Sequence, residues 1–216
     1  MQHRRRILSS LLVIVVAPLA MAMGVSPAWS QETAKPALIP ANEEDVAQRL
    51  KALEQACGDK GTLAVYLDCG SQLDATGSGG VKLTWIPGQA YLFPSQVEGV
   101  PATQASVVFD ASRVVFEISG LDPQRRYEVG LTWWDYDNGD RTEMVTVGSP
   151  NHRQVQMAIP AIRLPNYKDA HQKPAEKRFS LPVRLARDGK MQLIVHQVTG
   201  ANVVISELWI VELKKK

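Results

Sequence analysis

From Thr62 to the end of the chain, apolar residues recur at every second position, in short runs separated by Gly, Pro, Asp and Asn. Leu63, Val65, Leu67 and Cys69, alternating with Ala64, Tyr66 and Asp68, set the pattern. It continues through predicted strands at 80–86, 90–93, 104–109, 112–118, 126–136, 141–148, 153–159, 177–186, 190–198 and 202–213. Many short strands at short spacing predict an all-β sandwich or barrel over 62–213. The segment just before it has the helical period instead. Val46, Leu50, Leu53 and Cys57 form one apolar stripe, Asn42 is placed to cap, Glu43, Glu44 and Asp45 suit the positive end of the helix dipole, and Gly58 closes the element. A single helix over 43–58 is predicted.

Two turns fix expected registers. Asn138-Gly139 supplies the positive φ angles of a two-residue type I′ hairpin. Asp137 would then lie opposite Asp140, Tyr136 opposite Arg141, Asp135 opposite Thr142 and Trp134 opposite Glu143. Arg187-Asp188-Gly189 fits a three-residue loop that pairs Leu185 with Met191, Val183 with Leu193 and Leu181 with Val195. Pro182 cannot donate to a ladder, which puts its strand at an edge or turns that position outward. Between Ser149 and Glu176 four prolines leave at most the short strand 153–159. The remainder, with Tyr167 and His171, reads as a long surface loop near one rim.

The first thirty residues stand apart from the fold. Arg4, Arg5 and Arg6 precede an apolar run from Leu11 to Met23, and Ala28-Trp29-Ser30 fits a signal-peptidase site. With Pro18, Gly24 and Pro27 interrupting it, the run is too short for a membrane span. Residues 1–30 therefore read as a cleavable signal, 31–42 as a flexible leader, and the protein as exported, periplasmic or secreted, with no transmembrane segment after cleavage. Without the signal the chain carries 21 basic and 22 acidic residues, a balance unlike the basic surface of a nucleic-acid binder. About 186 residues suffice for one domain. In an oxidising compartment the two cysteines, Cys57 and Cys69, are candidates for a disulfide, the alternative being two buried thiols.

Three segments resemble the galactose-binding-like β-sandwich superfamily, including its malectin-like and carbohydrate-binding-module members. They are Val65-Tyr66-Leu67-Asp68-Cys69-Gly70-Ser71, the passage from Ser119-Gly120-Leu121-Asp122-Pro123 into Tyr127-Glu128-Val129-Gly130-Leu131, and Ala201-Asn202-Val203-Val204-Ile205-Ser206-Glu207-Leu208-Trp209-Ile210. The resemblance implies a jelly-roll-like antiparallel β-sandwich, here preceded by one short amphipathic helix, often carbohydrate-binding and often with a structural calcium. It implies no particular site residue in this chain.

Candidate chemistry rests on the residues themselves. In the expected hairpin the like charges of Asp137 and Asp140 face each other, and a hard cation would offset them, with Asp135 as a third carboxylate. The alternative is an exposed turn screened by water and Arg141. The spacing is not that of an EF-hand. Period two puts Val129, Leu131 and Trp133 toward the core and Gly130, Thr132, Trp134 and Tyr136 on the other face. There Trp134 and Tyr136 would make an aromatic platform for a sugar ring, with Arg141 beside it, unless the proline-rich stretch from 160 to 174 covers them. His152, His171 and His196 have no ligand spacing, and Gly77-Ser78-Gly79-Gly80 is not a nucleophile elbow. Glu117, Glu128 and Glu143 lie on strands that could supply a glycosidase pair. The function expected is a non-catalytic binder of carbohydrate or cell-envelope glycan. The alternatives are an envelope adaptor that docks a protein partner and a glycan-active hydrolase or lyase.

Overall fold

The computed structural model describes residues 42–86, 89–92 and 99–215, so the expected signal and all of the leader but Asn42 lie outside the described residues. Helix α1 runs over Glu43–Cys57. The Asn42 side chain accepts hydrogen bonds from the Glu44 and Asp45 backbone N–H groups, and Gly58 closes the helix at φ 47°, as expected. Thirteen strands follow among the described residues: β1 (Gly61–Asp68), β2 (Asp74–Thr76), β3 (Lys82–Trp85), β4 (Gln89–Leu92), β5 (Ser106–Asp110), β6 (Arg113–Ser119), β7 (Arg126–Trp133), β8 (Thr142–Gly148), β9 (Val155–Arg163), β10 (Ala175–Leu181), β11 (Met191–Thr199), β12 (Val203–Ile205) and β13 (Glu207–Leu213). Short helices α2 (Ala102–Ala105) and α3 (Tyr167–Ala170) sit in connections. No described helix is long and apolar enough to cross a membrane.

The fold is an all-β antiparallel sandwich preceded by one short amphipathic helix. A four-stranded sheet, β1-β13-β7-β10, faces a six-stranded sheet, β2-β3-β6-β11-β8-β9, and β12-β5-β4 form a third, smaller sheet. Alternation decides what lies between the two larger sheets: Leu67, Val129, Leu131, Trp133, Leu208 and Ile210 from one, Leu83, Trp85, Phe116, Ile118, Val145, Val147, Leu193 and Val195 from the other. Helix α1 lies on the outer face of the four-stranded sheet, where Leu53 and Cys57 pack on Tyr66, Trp209 and Val211.

Both expected hairpins are corrected by the topology. Strand β7 belongs to the four-stranded sheet and β8 to the six-stranded one, so 134–141 crosses between sheets and Asp137 does not pair with Asp140. The left-handed residues are Asn138 and Asp140, at φ 60° and 52°, which is not a type I′ turn on Asn138-Gly139. Likewise β10 pairs with β7, whereas β11 pairs with β6 and β8. Only an isolated bridge between Arg187 and Lys190 survives of that hairpin, with Asp188 and Gly189 both left-handed. The physical reason is common to the two cases. Flanking strands that both carry an apolar inner face can bury it across the sandwich as well as side by side, and alternation is the same in either arrangement.

Strand β10 is an edge, as Pro182 suggests. Strand β9 runs on to Arg163 through Pro160, which an edge strand tolerates. The predicted strand 202–213 divides at Ser206, whose hydroxyl donates to the Gln104 carbonyl at 2.9 Å.

Cys57 and Cys69 are free thiols. Cys57 packs with α1 outside the four-stranded sheet and Cys69 lies in the core inside it, so one sheet separates them. The expected disulfide is incompatible with that placement, since two sulfurs must approach to about 2 Å.

Candidate functional site

The segment singled out by the sequence forms one rim of the sandwich, organised by a buried ion pair. Asp135 is 2% exposed and accepts from the Gly139 N–H at 2.8 Å and the Arg141 N–H at 3.2 Å, which folds residues 135–141 around its carboxylate. The Arg141 guanidinium lies against both Asp135 and Asp137 and donates through Nε to Asn202 Oδ1 at 2.9 Å. Burial works against its charge, and the two aspartates outweigh burial and hold its pKa above the ordinary value. Burial acts on the Asp137 carboxyl too, but hydrogen bonding and attraction from Arg141 hold it below the usual carboxylate range.

This junction ties three chain segments together. The Asp135 N–H donates to the Pro165 carbonyl at 2.7 Å, Tyr167 N–H to the Asp135 carbonyl at 3.0 Å, and Leu164 N–H to the Arg141 carbonyl at 2.9 Å. Asn166 Nδ2 reaches Asn138 Oδ1 at 2.6 Å, and Ala201 N–H donates to the Gly139 carbonyl at 3.0 Å. The proline-rich stretch is thus bound onto the 134–141 segment.

An aromatic group results. Trp134 is 0% exposed, so the outward platform expected there does not form at Trp134. Tyr167 covers it edge-on, with ring centroids 5.8 Å apart, and Tyr136 lies 5.4 Å from it. Tyr136 and Tyr167 stack nearly parallel, 5.4 Å apart at 9°, and His171 meets Tyr167 edge-on at 5.5 Å. Both tyrosines are half-exposed and His171 is exposed. Arg163, Pro165, Asn166 and Gln172 line a surface depression of about 490 Å³ on the same loop. Tyr167 and His171 are the residues of this rim that the strand pattern does not reach. The signal pointing to them is the aromatic and histidine content of a long loop.

The three aspartates do not gather as a cation site. Asp135 is buried on Arg141, Asp137 is turned to the same guanidinium, and Asp140, 72% exposed, pairs with Arg163 at 2.7 Å. Among the described residues no group of three potential ligands forms. The guanidinium takes the place that the like-charge argument gave to calcium. Arg141 itself, expected beside an aromatic platform, is buried at 2% exposure.

The strand glutamates are dispersed. Glu117 points out from the six-stranded sheet and Glu128 from the four-stranded sheet, whereas Glu143 points into the interior. Glu143 Oε1 accepts from the Val204 N–H at 2.8 Å, and burial pushes its carboxyl well above the usual range. No catalytic pair is assembled from these three. His196 meets Thr146 Oγ1 at 2.8 Å on the outside of the six-stranded sheet, and burial, then Arg113, lowers its pKa.

A second polar group, beneath α1, has no counterpart in the sequence pattern. One cross-strand row holds Asp68, Glu207, Thr132 and Glu176, directly opposite one another on β1, β13, β7 and β10. Glu207 is fully buried and accepts from Tyr66 at 3.0 Å, Thr132 at 2.8 Å and twice from Arg49 at 3.0 Å. Arg49 also reaches Glu176 at 2.7 Å and lies over the Trp209 ring. Trp209 fits because its neighbour is Gly130, where a Cβ would stand 2.1 Å from the indole. Burial raises Tyr66, with Glu207 adding to it, and pushes Asp68 up to about 6 against the hydrogen bonds from Ser71 and Ser106.

No family model matches the chain, and no curated protein matches it. Similar solved structures include a β-glucuronidase from Bacteroides uniformis (11% identity, TM-score 0.49), matched over 69% of this chain and 18% of that one. The CBM22-1 xylan-binding domain of Paenibacillus barcinonensis Xyn10C (13%, TM-score 0.46) is matched over 74% of this chain and 99% of that one. The extracellular domain of ANXUR2 from Arabidopsis thaliana (12%, TM-score 0.49) is matched over 71% and 49%. The chain thus spans less than a fifth of the glucuronidase and about half of the ANXUR2 domain. No ligand, residue role or activity is carried across at these values.

Proposed function

We propose that the chain is an exported, non-catalytic β-sandwich protein that binds a carbohydrate or cell-envelope glycan at the rim made by 134–141 and 164–172. The observation that supports this reading most is the half-exposed, parallel Tyr136–Tyr167 pair, backed by Trp134 and held in place by the Arg141 junction. Flat aromatic faces pack on the apolar side of a sugar ring, and a rigid mount keeps the ordering cost of binding low. Asp137, Asn138, His171 and Gln172 supply polar groups around the pair. Export rests on the character of residues 1–30.

The test is a titration of intrinsic fluorescence with a panel of soluble polysaccharides, on the parent and on Tyr136→Ala and Tyr167→Ala. A saturable change in the parent that weakens at least tenfold in both variants, with unfolding midpoints close to the parent's, is the expected result. No response to any polysaccharide, or a response that survives both substitutions, would overturn the reading. A second reading, an envelope adaptor that docks protein, draws on the exposed apolar side chains Val155 and Met157.

A further inference from the structure

The outer faces of the two larger sheets are unlike. Helix α1 covers much of one. The other, on the six-stranded sheet, carries a row across five strands that is apolar except at Thr146. Ile86 continues β3 opposite Val115, as its N–H to the Val115 carbonyl at 2.8 Å shows. Val115 pairs with Ile194, Ile194 with Thr146, and Thr146 with Met157. Val115, Ile194 and Thr146 alternate with core residues and so point outward, Ile86 follows the core residue Trp85, and Met157 joins the row by its pairing with Thr146; Ile194, in the middle, is only 7% exposed. Ile86 is 51% and Met157 58% exposed, and Val155, one row away, is 54% exposed. Three of the four large apolar side chains that the described residues expose therefore lie on this one face.

The rows on either side differ in charge. On one flank Thr84, Glu117, Gln192, Gly148 and Val155 are aligned across the strands. The other flank has Arg113, His196 and Met144. Glu117 and Arg113 thus stand two positions to either side of Val115 on β6, and Glu117 has only a 4.0 Å contact with Lys190. A two-fold axis along the apolar row reverses the strand direction and keeps each strand over its own copy. It places Ile194 on Ile194, Val115 on Val115 and Met157 on Met157. It also sets Glu117 over Arg113 and Gln192 over His196, twice each. A face that carries its own charge complement about an apolar axis has the form of an isologous interface.

We propose that the outer face of the six-stranded sheet is a self-association surface, occupied by a second copy of this chain packed about a two-fold axis along the Ile86–Val115–Ile194–Thr146–Met157 row. Five strands spaced about 4.8 Å apart carry the row over roughly 19 Å, at the small end of stable interfaces, so the dimer dissociates on dilution. This surface uses none of the rim residues, and its test stands or fails separately from glycan binding.

Sedimentation velocity on the purified chain over roughly 1–300 μM, where small interfaces dissociate, tests the proposal. A monomer–dimer equilibrium is expected, weakened at least about tenfold by Met157→Glu. Glu117→Arg and Arg113→Glu should each weaken it about threefold or more, and the double reversal should restore it, because the charges exchange places. A monomer at every concentration would overturn the proposal, as would a dimer indifferent to Met157→Glu or a double reversal no better than the single ones. So would a chain that stays monomeric while Met157→Glu alters its response to polysaccharide or to a protein partner, since that gives the face a different occupant.

Discussion

Two arginines, one buried and one partly buried, organise carboxylates in this molecule in different ways. Arg141, its side chain 3% exposed, takes its carboxylates from four and six residues away and so closes its own loop. Through the Asp135 backbone and Asn202 that loop then captures two other segments. Arg49 takes its carboxylates from 127 and 158 residues away and so fastens a helix to a sheet. The acceptors differ as well. Buried Asp135 takes donors from within its turn, whereas Glu207 keeps the Tyr66 and Thr132 hydroxyls, from other strands, whatever Arg49 does. A buried charge with independent donors can lose one partner at moderate cost. Asp135 keeps only backbone donors of its own turn when the guanidinium is lost, with more of the loop's geometry depending on the ion pair.

The sharpest way to break the comparison is to remove the cations. Arg141→Met should cost about 3–5 kcal/mol in urea unfolding, because Asp135 is left buried with two backbone donors but no counter-charge, and it should free the tyrosine pair at the rim. A loss under about 1 kcal/mol, the scale of an ordinary hydrogen bond, would show that backbone donors suffice for Asp135. Arg49→Met should cost less, about 2–3 kcal/mol, the scale of hydrogen bonds to a charged group, and Trp209 fluorescence should change with it. Equal losses in the two variants would erase the distinction drawn between the sites.

A pH experiment sharpens it further. Burial raises the Asp68 carboxyl to about 6, above the roughly 3.9 of an unfolded chain, so the folded protein binds this proton more tightly. Its contribution to stability is complete below about pH 4 and is lost as pH rises through 6. Asp68→Asn keeps a neutral side chain at every pH. Relative to the parent it should therefore gain roughly 1–3 kcal/mol between pH 4 and 7, because each tenfold difference in proton affinity is worth about 1.36 kcal/mol. Parallel stability curves for parent and variant across that range would remove Asp68 as the cause. The rim has the opposite sign at Asp137, whose lowered pKa keeps its pairing with Arg141 as the solution turns acid.

The same contrast measures what could be read in the sequence. Asn42, the Val46–Leu50–Leu53–Cys57 stripe and Gly58 define α1 because capping and helical period are local. Val129, Leu131 and Trp133 point inward as their alternation predicts, because that pattern depends only on the strand that carries it. Of the rim, the 134–141 segment is legible as a unit, whereas its cover by the proline-rich stretch stands only as the alternative to an open aromatic platform. The exposure of Trp134 is not, since it depends on where Tyr167 lies. The partners of Asp137 and Asp140 escape a hairpin register because the chain changes sheets between them and their expected neighbours. The Arg49–Glu207 group gives no local signal at all.

By itself, then, the sequence determined the class of the fold, the helix and its caps, and the inward faces of the strands. Each follows from periods and turn chemistry that span a few residues. Only the tertiary structure decided which strands share a sheet, that Cys57 and Cys69 lie on opposite sides of one, that a guanidinium stands between Asp135 and Asp137, and that Ile86, Val155 and Met157 are exposed on one face. Those outcomes depend on pairings between residues far apart in the chain, and an alternating strand satisfies its own pattern equally well beside several neighbours.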